Sequence, residues 1–521
     1  MLADESRAGT MPAVLRRAAS LYGDDDCIVM PDRRISFRQL ELASRHLALQ
    51  LLAAGVGKGT RVGIHLVTGP EWAVAFAAVT RIGAVAMPFS TLYRPAELRT
   101  AMRVGDVAVL IAAPTMLGKD NEAFLEDAIE GLAGADAGRL HLLDVPFLRR
   151  IVLIGDSSRN WAEKACLTAG QDPASGIDER LLEAVEAEVS PADWLLVMFT
   201  SGTTAEPKAV IHSHGAALRK TSPGADAALH AIFPGRVLML MPFFWIGGIQ
   251  EVLSALQSGA TLLTQERLDA PSALELGQRE QATSVMGNAK ALQTLFGDAD
   301  LARLIPSIRP LPPRPWEGPA SSKSDPPTAL GMSETFGPWA GVSGFDYRVV
   351  DPESGEILPD GADGEFQVRG YGLMQGLYKH QREATFDPDG YFPTGDRGYL
   401  ENGLVYFQGR LKDMIKTKGA NVAPAEVEAV LNAHPGVRIS FVLGLPHERF
   451  GEEVVAVVVR DGQASLDAGL LVADCRRELS SYKVPATILV LDPGEVPYLS
   501  SSKPDRRALE GLITAYRNGQ G

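Results

Sequence analysis

Met198-Phe-Thr-Ser-Gly-Thr-Thr-Ala-Glu-Pro-Lys208 is the segment on which the interpretation of this chain depends. It continues an apolar run at 194–199, which predicts a strand that ends in a loop of small, hydroxylated residues. Small residues let backbone N–H groups turn toward a phosphate, hydroxyls add donors, and Lys208 adds a positive charge. The glycine spacing differs from that of the GxxxxGK[ST] nucleotide loop. By composition alone, a polar turn after a strand explains the segment equally well.

Short apolar runs alternate with helix-like segments on both sides of this loop. Residues 37–53 carry leucines at helical spacing, and 71–83 shows a similar pattern. The runs that predict strands are 62–67, 84–89, 107–112, 151–154, 194–199 and 237–241. Because short apolar strands separated by helices are typical of parallel sheets covered on both faces, we expect an α/β fold.

The character of the sequence changes toward the C-terminus. Residues 308–327 are rich in proline and serine and predict a loop. From Gly364 onward, short strands and turns dominate, followed by a predicted helix at 424–433 and another near 474–479. We therefore expect a small α+β unit at this end. The length of 521 residues also favours more than one domain.

Composition excludes several classes of protein. Hydrophobic residues make up 45% of the chain and charged residues 22%, as in ordinary globular proteins. A net charge of -14 argues against nucleic acid or an anionic membrane as the main partner. The apolar stretch 237–248 is shorter than the roughly 20 residues of a membrane-spanning helix. Three widely spaced cysteines, without a secretory signal, favour a reducing cytoplasm.

Seven blocks of sequence, in order, are similar to those of one family. The run TSGTTAEPK resembles the phosphate loop of the adenylate-forming superfamily, which includes acyl-CoA synthetases, firefly luciferase and peptide-synthetase adenylation domains. The other blocks are ISFRQLELASRHLALQL with VGIHLVTGPEWAVAFAAVTRIGAVAMPFS, MPFFWIGG, LGMSETFG, YFPTGDRGYL, GRLKDMIKTKGANVAPAEVE and YLSSSKPDRR. The resemblance is closest to fatty and aryl acyl-CoA ligases and covers nearly the whole chain.

This resemblance implies an architecture and a reaction. The expected fold is a large N-terminal domain (1–409) of layered α/β sheets plus a distorted β-barrel, with a small mobile α+β domain at 411–521 and a hinge near Lys412. The expected enzyme uses ATP and Mg²⁺ to convert a fatty, aryl or alicyclic acid to its acyl-AMP, releasing pyrophosphate, and then forms acyl-CoA. It would act as a monomer or homodimer. Two alternatives remain open: loading of a carrier protein's phosphopantetheine, and non-catalytic binding on the same fold.

The resemblance also assigns residues to ATP. Glu334 would hold Mg²⁺ beside the phosphates, which suits a metal that takes one or two carboxylates plus phosphate oxygens. Asp396 would accept hydrogen bonds from both ribose hydroxyls, and Arg410 would reach the same ribose. The remaining ATP-binding residues would be Thr200, Ser201, Gly202, Thr203, Thr204, Ser333 and Thr335, with Lys208 as a catalytic cation. Alone, each could be a turn, cap or surface residue.

Further roles follow for the C-terminal lysines. Lys503 would enter the active site for adenylation, where an ammonium stabilises the charge that develops on the α-phosphate. Lys416, Lys418 and Gly419 would belong to the loop used in the thiol step, with Gly419 allowing close approach of a pantetheine arm. Base rates alone favour solvated lysines at these positions.

An apolar acid pocket is also expected from the resemblance. Trp245 occupies a position where many members carry histidine, and it would either shape the pocket or serve as a core aromatic. The other proposed pocket residues are Gly247, Gly287, Gly337 and Trp339. His212 and His214 have a spacing that serves a metal only on a strand, so core or helix-start roles are favoured for them.

The chain departs from the family pattern at four places. Ala205 and Ala209 replace glycines of the phosphate loop, and Leu330 stands where an aromatic residue usually contacts adenine. Residues 308–312 read IRPLP where a glycine-rich segment is usual, and Ser502 replaces the glycine before Lys503. These departures predict altered ATP affinity and leave the expected reaction class unchanged.

Overall fold

The computed structural model of the chain describes most of its length. The described ranges are 9–138, 140–167, 177–200, 207–222, 235–287, 330–340, 342, 344–411, 415–422, 424–462, 466–497 and 505–519. The α-helices within them are α1 (Met11–Tyr22), α2 (Phe37–Ala53), α3 (Pro70–Arg81), α4 (Pro95–Val104), α5 (Asn121–Ala128), α6 (Glu179–Ala187), α7 (His214–Lys220), α8 (Ile246–Ser258), α9 (Ala270–Arg279), α10 (Pro424–Asn432), α11 (Ala468–Glu478) and α12 (Arg506–Gly519).

Strands are numbered along the chain and form two main layers in the first half. The five-stranded sheet contains, in spatial order, β14 (Ser284–Met286), β12 (Arg236–Met239), β13 (Thr261–Leu263), β1 (Asp26–Val29) and β2 (Arg34–Ser36). The eight-stranded sheet contains β19 (Gly376–Leu377), β11 (Lys208–Ser213), β10 (Trp194–Thr200), β4 (Val85–Pro88), β3 (Arg61–His65), β5 (Val109–Ala112), β8 (Arg150–Ile154) and β9 (Ala162–Ala165). A short hairpin joins β6 (Thr115–Met116) to β7 (Lys119–Asp120).

Most neighbouring strands in these two sheets are parallel. The exceptions are β1 with β2 in the smaller sheet, and β11 with both β10 and β19 in the larger one. Between the sheets, α1, α2, α3 and α8 share one hydrophobic core that includes Ile28 of one sheet and Ile64 of the other. In α3, only Glu71 is not fully buried, as expected for a helix covered on every side.

A buried charge network fixes this helix layer. The guanidinium of Arg81 donates to Glu186 at 2.6 Å, to Glu41 at 2.8 Å and to the Ser44 hydroxyl at 2.7 Å. The side chains of Arg81 and Glu186 are both fully buried. Removing one partner of such a network leaves an uncompensated charge, so the network specifies how α2, α3 and α6 are arranged.

Three further sheets lie within the described residues. The smallest pairs β15 (Gly331–Met332) with β16 (Gly337–Pro338) in antiparallel fashion. The antiparallel sheet β17 (Phe345–Val350), β18 (Gly364–Gly370), β20 (Phe392–Glu401) and β21 (Leu404–Arg410) corresponds to the part expected as a distorted barrel. The last sheet contains β23 (Ala420–Val422), β22 (Ile415–Thr417), β25 (Gly451–Arg460), β24 (Val437–His447) and β26 (Thr487–Leu491). We call residues 9–411 the N-terminal region and residues 415–519 the C-terminal region.

The C-terminal region has its own core. Val427, Val458 and Leu471 belong to one buried cluster on α10, β25 and α11, and Leu509 of α12 belongs to a second. Its strands pair with one another and not with described strands of the N-terminal region. The expected small α+β unit is therefore confirmed, whereas the domain division at residue 410 stays a prediction.

Local patterns predicted four of the twelve described helices and many of the strands. The helix at 37–53 is confirmed with both bounds, because Ser36 and Gln39 form a reciprocal capping box at its start. The second C-terminal helix begins at Ala468, six residues before the predicted start, with Asp467 as its N-cap. The apolar stretch 237–248 contains most of β12 and the start of α8. Over the described ranges, we found no helix with the length and apolar character needed to cross a bilayer.

Candidate active site

The candidate phosphate loop connects two antiparallel strands. β10 ends at Thr200 and β11 begins at Lys208, and the two residues lie directly opposite each other in the ladder. The hydroxyl of Thr200 is buried and has no hydrogen-bond partner among the described residues. The loop predictions Ser201, Gly202, Thr203 and Thr204 lie outside the described residues. The flanking strands thus place a hydroxyl and a lysine at the two ends of this loop.

Glu334 is carried by a tight turn next to this hairpin. Residues Ser333–Thr335 form one turn of 3₁₀-helix, and the buried Thr335 hydroxyl donates to the Gly337 carbonyl at 2.6 Å. The Glu334 carbonyl accepts from the Met374 amide at 2.7 Å. The Glu334 side chain is half-buried. These contacts fix the backbone that carries the Glu334 carboxylate, while part of the residue stays accessible to a ligand.

His212 links the hairpin to the turn. It lies on β11, and its Nε2 is 2.6 Å from the carbonyl oxygen of Ser333. Its ring also meets the ring of Phe336 edge-on, with centroids 4.9 Å apart. Because burial disfavours the charged imidazolium, the pKa of His212 falls to about 4, although the bond to Ser333 opposes this shift. The neutral ring therefore donates through Nε2.

The contacts of the two histidines fit a core position for His212 and a helix-start position for His214. His214 starts α7, and its Nδ1 accepts the Met11 amide at 3.2 Å. His212 and His214 thus act in packing and positioning.

The two predicted ribose residues lie on neighbouring strands. Asp396 on β20 is directly opposite Arg410 on β21. Asp396 is buried, and its amide donates to the Thr394 hydroxyl at 3.0 Å. Gly395 has a φ of +71°, a left-handed conformation that favours glycine and shapes this strand next to the carboxylate. The side chain of Arg410 lies outside the described residues.

The predicted thiol-step loop is the tip of a β-hairpin. Lys418 and Gly419 connect β22 to β23, and both have positive φ, 53° and 79°. Two such residues form a type I′ turn, whose twist matches that of paired strands. The Lys418 amide donates to the Phe450 carbonyl at 3.1 Å, and its ammonium lies over the Phe450 ring. Lys416 is exposed on β22, with its ammonium 5.3 Å from the Phe407 ring centroid.

A cavity of about 810 Å³ lies between the N-terminal and C-terminal regions. Five sequence-predicted site residues line it: Thr200, Ser333, Trp245, Gly247 and Gly419. These residues come from four separate sequence blocks, so the fold brings together what the sequence keeps far apart. A second, polar depression of about 530 Å³ between Asp24 and Arg236 contains none of them.

The cavity has an apolar part and a charged part. The apolar wall comes from strand ends and from the start of α8, and consists of Met198, Phe199, Met241, Phe244, Trp245 and Ile246. The charged part lies where α4 meets the C-terminal region, and includes Glu97, Glu426, Asp474, Arg477, Glu478 and Lys483. An uncharged part of a ligand fits the apolar wall, whereas the charged residues lie where the two regions meet.

Three predicted acid-pocket residues are not among the described lining of this cavity. Trp339 is fully buried among Tyr347 and Phe366 in the core of the antiparallel sheet. Gly337 has a φ of +91°, and a Cβ there would lie 2.4 Å from the Gln250 side chain, so close packing requires glycine. Gly287 follows β14. Trp339 and Gly337 therefore shape the surroundings of the Glu334 turn through packing.

Other predictions fall outside what the structure describes. Lys412, Lys503, Ala205, Ser502 and the 308–312 segment all belong to the undescribed ranges. Leu330, where an adenine-contacting aromatic residue was expected, is buried in the same core as Trp339. The roles assigned to these residues remain predictions.

Sequence reasoning missed the polar residues of the charged wall. Lys483 contacts Glu97 and Glu426 at 2.6 and 2.7 Å, but Glu97 and Lys483 are 386 positions apart. No local motif marks either residue. Pro95, the first residue of α4, predicts a helix start, yet nothing in the sequence indicates what that helix contacts.

Comparisons with known proteins identify the family. The model described as AMP-binding enzyme matches residues 15–311, and the model described as AMP-binding enzyme C-terminal domain matches residues 426–503. Relatives in Rhodococcus jostii and Mycobacterium tuberculosis, each a 3-[(3aS,4S,7aS)-7a-methyl-1,5-dioxo-octahydro-1H-inden-4-yl]propanoyl:CoA ligase, are 30% and 31% identical. Each alignment covers 93% of this chain and 95% of the relative.

A solved structure supports the fold independently. The amide bond synthetase McbA from Marinactinospora thermotolerans superposes with a TM-score of 0.77 at 24% identity. The match covers 96% of this chain and 99% of McbA. At this identity the likeness concerns the fold, which is thereby confirmed along nearly the whole chain.

Proposed function

This chain belongs to the AMP-binding enzyme family, and we propose that it joins a carboxylic acid to coenzyme A in two steps with an acyl-AMP intermediate. The observation that carries the proposal is the lining of the cavity. It includes Thr200 beside the phosphate loop, Ser333 beside Glu334, and Gly419 of the thiol-step hairpin. An adenylation site and a thiol entrance have to meet at the same carbonyl carbon, and residues proposed for each of them line this cavity.

In the first step, the acid's carboxylate attacks the α-phosphorus of ATP. A new P–O bond forms, the bond between the α- and β-phosphates breaks, and pyrophosphate leaves. Donors that are already oriented stabilise the developing charge at little reorganisation cost. The Thr200 hydroxyl and Lys208 flank the phosphate loop, and Asp396 would accept bonds from the ribose. Lys503 would add a second cation during adenylation.

The residues near the phosphate loop suit Mg²⁺ as the companion of ATP. Glu334 supplies one half-buried carboxylate on a backbone fixed by His212 and Met374. Mg²⁺ commonly takes one or two carboxylates and completes its shell with phosphate oxygens and water. When bound, it would neutralise phosphate charge, while Glu334 would orient it.

In the second step, a thiol attacks the carbonyl carbon of the acyl-AMP. A C–S bond forms, the C–O bond to the phosphate breaks, AMP leaves, and the thiol proton passes to solvent or a nearby base. Gly419 lines the cavity without a side chain, which leaves space for a thin thiol-bearing arm. We propose that the C-terminal domain, residues 411–521, turns about a hinge near Lys412 between the two steps.

The acid that fits best has an uncharged, apolar body. Met198, Phe199, Met241, Phe244 and Trp245 all line the cavity and give it apolar surface. Burial of apolar surface contributes roughly 25 cal/mol per Å², so such a wall favours fatty, aryl or alicyclic groups. The two relatives named for an indenyl propanoyl-CoA ligase activate an acid of the alicyclic kind.

The test is acid-dependent exchange of labelled pyrophosphate into ATP, followed by detection of acyl-CoA. A panel of neutral fatty, aryl and alicyclic acids would be compared with an amino acid and a dicarboxylic acid. We expect exchange with at least one neutral acid, and acyl-CoA when free coenzyme A is added. Exchange without acyl-CoA, rescued by a phosphopantetheinylated carrier protein, would instead identify the carrier as the thiol donor. A complete lack of exchange with nucleotide still bound would favour a binding protein.

A further inference from the structure

A buried polar cluster connects the two regions at the edge of the cavity. The Lys483 ammonium lies 2.6 Å from a Glu97 carboxylate oxygen and 2.7 Å from a Glu426 carboxylate oxygen. The Ser480 hydroxyl donates to the other Glu97 oxygen at 2.6 Å. The side chains of Lys483 and Glu97 are only 5% and 9% exposed, so solvent screens the pair poorly.

Glu97 is the contribution of the N-terminal region to this cluster. It lies in the first turn of α4, where its carboxylate also accepts the Arg94 amide at 2.8 Å. Lys483, Ser480 and Glu426 all belong to the C-terminal region. Nearby, the Arg94 guanidinium donates to the Leu479 carbonyl at 3.2 Å. The contacts of Glu97 and Arg94 therefore hold α4 against the segment that follows α11.

The charges of the cluster favour an intact contact. Burial by itself lowers the pKa of Lys483, but Tyr482, Glu426 and Glu97 outweigh it and leave the pKa raised. Lys483 therefore carries its charge. If the regions separate, Lys483 keeps Glu426 as its partner, and Glu97 regains water. Separation thus breaks the Glu97–Lys483 pair while the Lys483–Glu426 pair remains, so no buried charge is left alone.

The same contact determines what faces the cavity. Glu97, Glu426 and Lys483 line it together with Gly419, the tip of the thiol-step hairpin. The contacts of Glu97 therefore hold the C-terminal region in the orientation in which the thiol-step hairpin faces the cavity. An arrangement that brings a different part of the C-terminal region to the phosphates has to break the Glu97–Lys483 pair.

We propose that Glu97 is a positioning residue for the thiol step: its bonds to Lys483 and Ser480 hold the C-terminal region in the arrangement that presents Gly419 to the acyl-AMP. This rests on the proposed two-step function. Glu97 acts through Lys483 and the C-terminal region, so its effect falls on one half-reaction. An ordinary structural ion pair would instead affect stability and both half-reactions alike.

The experiment separates the half-reactions in the variant Glu97→Gln. Adenylation is followed by pyrophosphate exchange, and the thiol step by single-turnover transfer from preformed acyl-AMP to coenzyme A. We expect exchange within about threefold of the wild type and transfer slowed by about tenfold or more, because the ionic contact that holds the C-terminal region against α4 is lost. The milder variant Ser480→Ala should show the same split with a smaller loss.

Asp106→Asn provides a matched control. Asp106 is also buried and also accepts from a lysine and a hydroxyl, Lys379 at 2.7 Å and Tyr378 at 3.0 Å, but all three residues belong to the N-terminal region. We expect this variant to keep the wild-type ratio of the two rates. If Glu97→Gln and Ser480→Ala slow both half-reactions equally, or slow neither, the positioning role of Glu97 is wrong.

A cross-link gives an independent readout. Glu97→Cys with Lys483→Cys, in a Cys166→Ser background, would be joined by a short bis-maleimide. The locked enzyme should transfer preformed acyl-AMP to coenzyme A but lose exchange, and exchange at the uncross-linked rate would overturn the proposal. If the wild type itself shows no exchange with any acid, the proposed function fails instead, so the two failures are distinguishable.

Discussion

His212 is a single side chain that joins two parts of the candidate site. Its neutral ring donates through Nε2 to the Ser333 carbonyl at 2.6 Å, and its Nδ1 has no partner among the described residues. The bond crosses from the hairpin of the phosphate loop to the turn that carries Glu334. The position of Glu334 relative to Lys208 therefore depends on a buried histidine that touches neither phosphate nor acid in the proposed mechanism.

We expect His212→Ala to lower the pyrophosphate-exchange rate of the folded enzyme by about tenfold, because a buried carbonyl loses its donor and the turn can shift. The control is His65→Ala. His65 is equally buried and stacks on Phe124, with no hydrogen-bond partner among the described residues. Both variants should lose stability, but only His212→Ala should lose exchange per folded molecule. An equal loss of exchange in both would contradict the positioning role.

Lys503 carries a prediction that rests on the proposed function. We expect Lys503→Ala to lower acid-dependent exchange by about 10²-fold or more, the usual cost of removing one electrostatic catalyst. Transfer from preformed acyl-AMP to coenzyme A should change far less, because the lysine acts on the α-phosphate during adenylation. Near-normal exchange by the variant would reject the role. Lys416→Ala offers a comparison, since that lysine belongs to the other half-reaction.

At the scale of the element, the hairpin β22–β23 shows how local conformation serves the site. Its two turn residues both have positive φ, and Gly419 borders the cavity. An L-residue at Gly419 would be strained by roughly 1–2 kcal/mol and would add a methyl group where the thiol arm is expected. The backbone and the ligand thus both favour glycine at this position.

We expect Gly419→Ala to slow thiol transfer by about tenfold, with adenylation nearly unchanged, given the combined strain and loss of space. Gly403→Ala is the matched control. Asn402 and Gly403 also form a turn with positive φ at both residues, 54° and 75°, and a Cβ at Gly403 would meet nothing within 4 Å. That variant should lose similar stability and keep transfer. Equal transfer rates in the two variants would exclude a role of Gly419 in the thiol step.

At the scale of the whole molecule, buried histidines link stability to pH. Burial lowers the pKa of His65, His212 and His214 to about 4 each. Unfolded histidine has a pKa of about 6.5, so between these values the unfolded chain binds protons that the native state does not. The contribution of these histidines to the free energy of unfolding is fully present above the pKa of unfolded histidine, and it is lost as the pH falls toward 4. Each group contributes up to about 3 kcal/mol on this basis.

The expected result is a steep loss of unfolding free energy from about pH 7 to about pH 4, measured by denaturant titration at several pH values. His65→Phe tests whether histidine protonation causes this loss. It places another aromatic ring against Phe124 and removes one titrating group. Its unfolding free energy should fall less over the same pH range. An unchanged slope would mean that His65 does not contribute to the acid sensitivity.

The sequence by itself predicted part of the secondary structure and the motifs of the family. The capping box at Ser36 set the start of α2, and alternating apolar runs predicted the strands of the layered sheets. The TSGTTAEPK loop and six further blocks indicated the family that the comparisons confirmed. These features are local, because capping, periodicity and loop composition act over a few residues. The role of each site residue stays a prediction.

Only the tertiary structure decided which distant residues meet. It joined His212 to Ser333 across 121 positions and Glu97 to Lys483 across 386, and it placed Trp339 in a core instead of in the cavity wall. Such contacts arise from the path of the chain through two sheets and between two regions. The secondary-structure propensity and hydrophobic periodicity of one segment do not predict such contacts, because their free energy comes from burying both partners together.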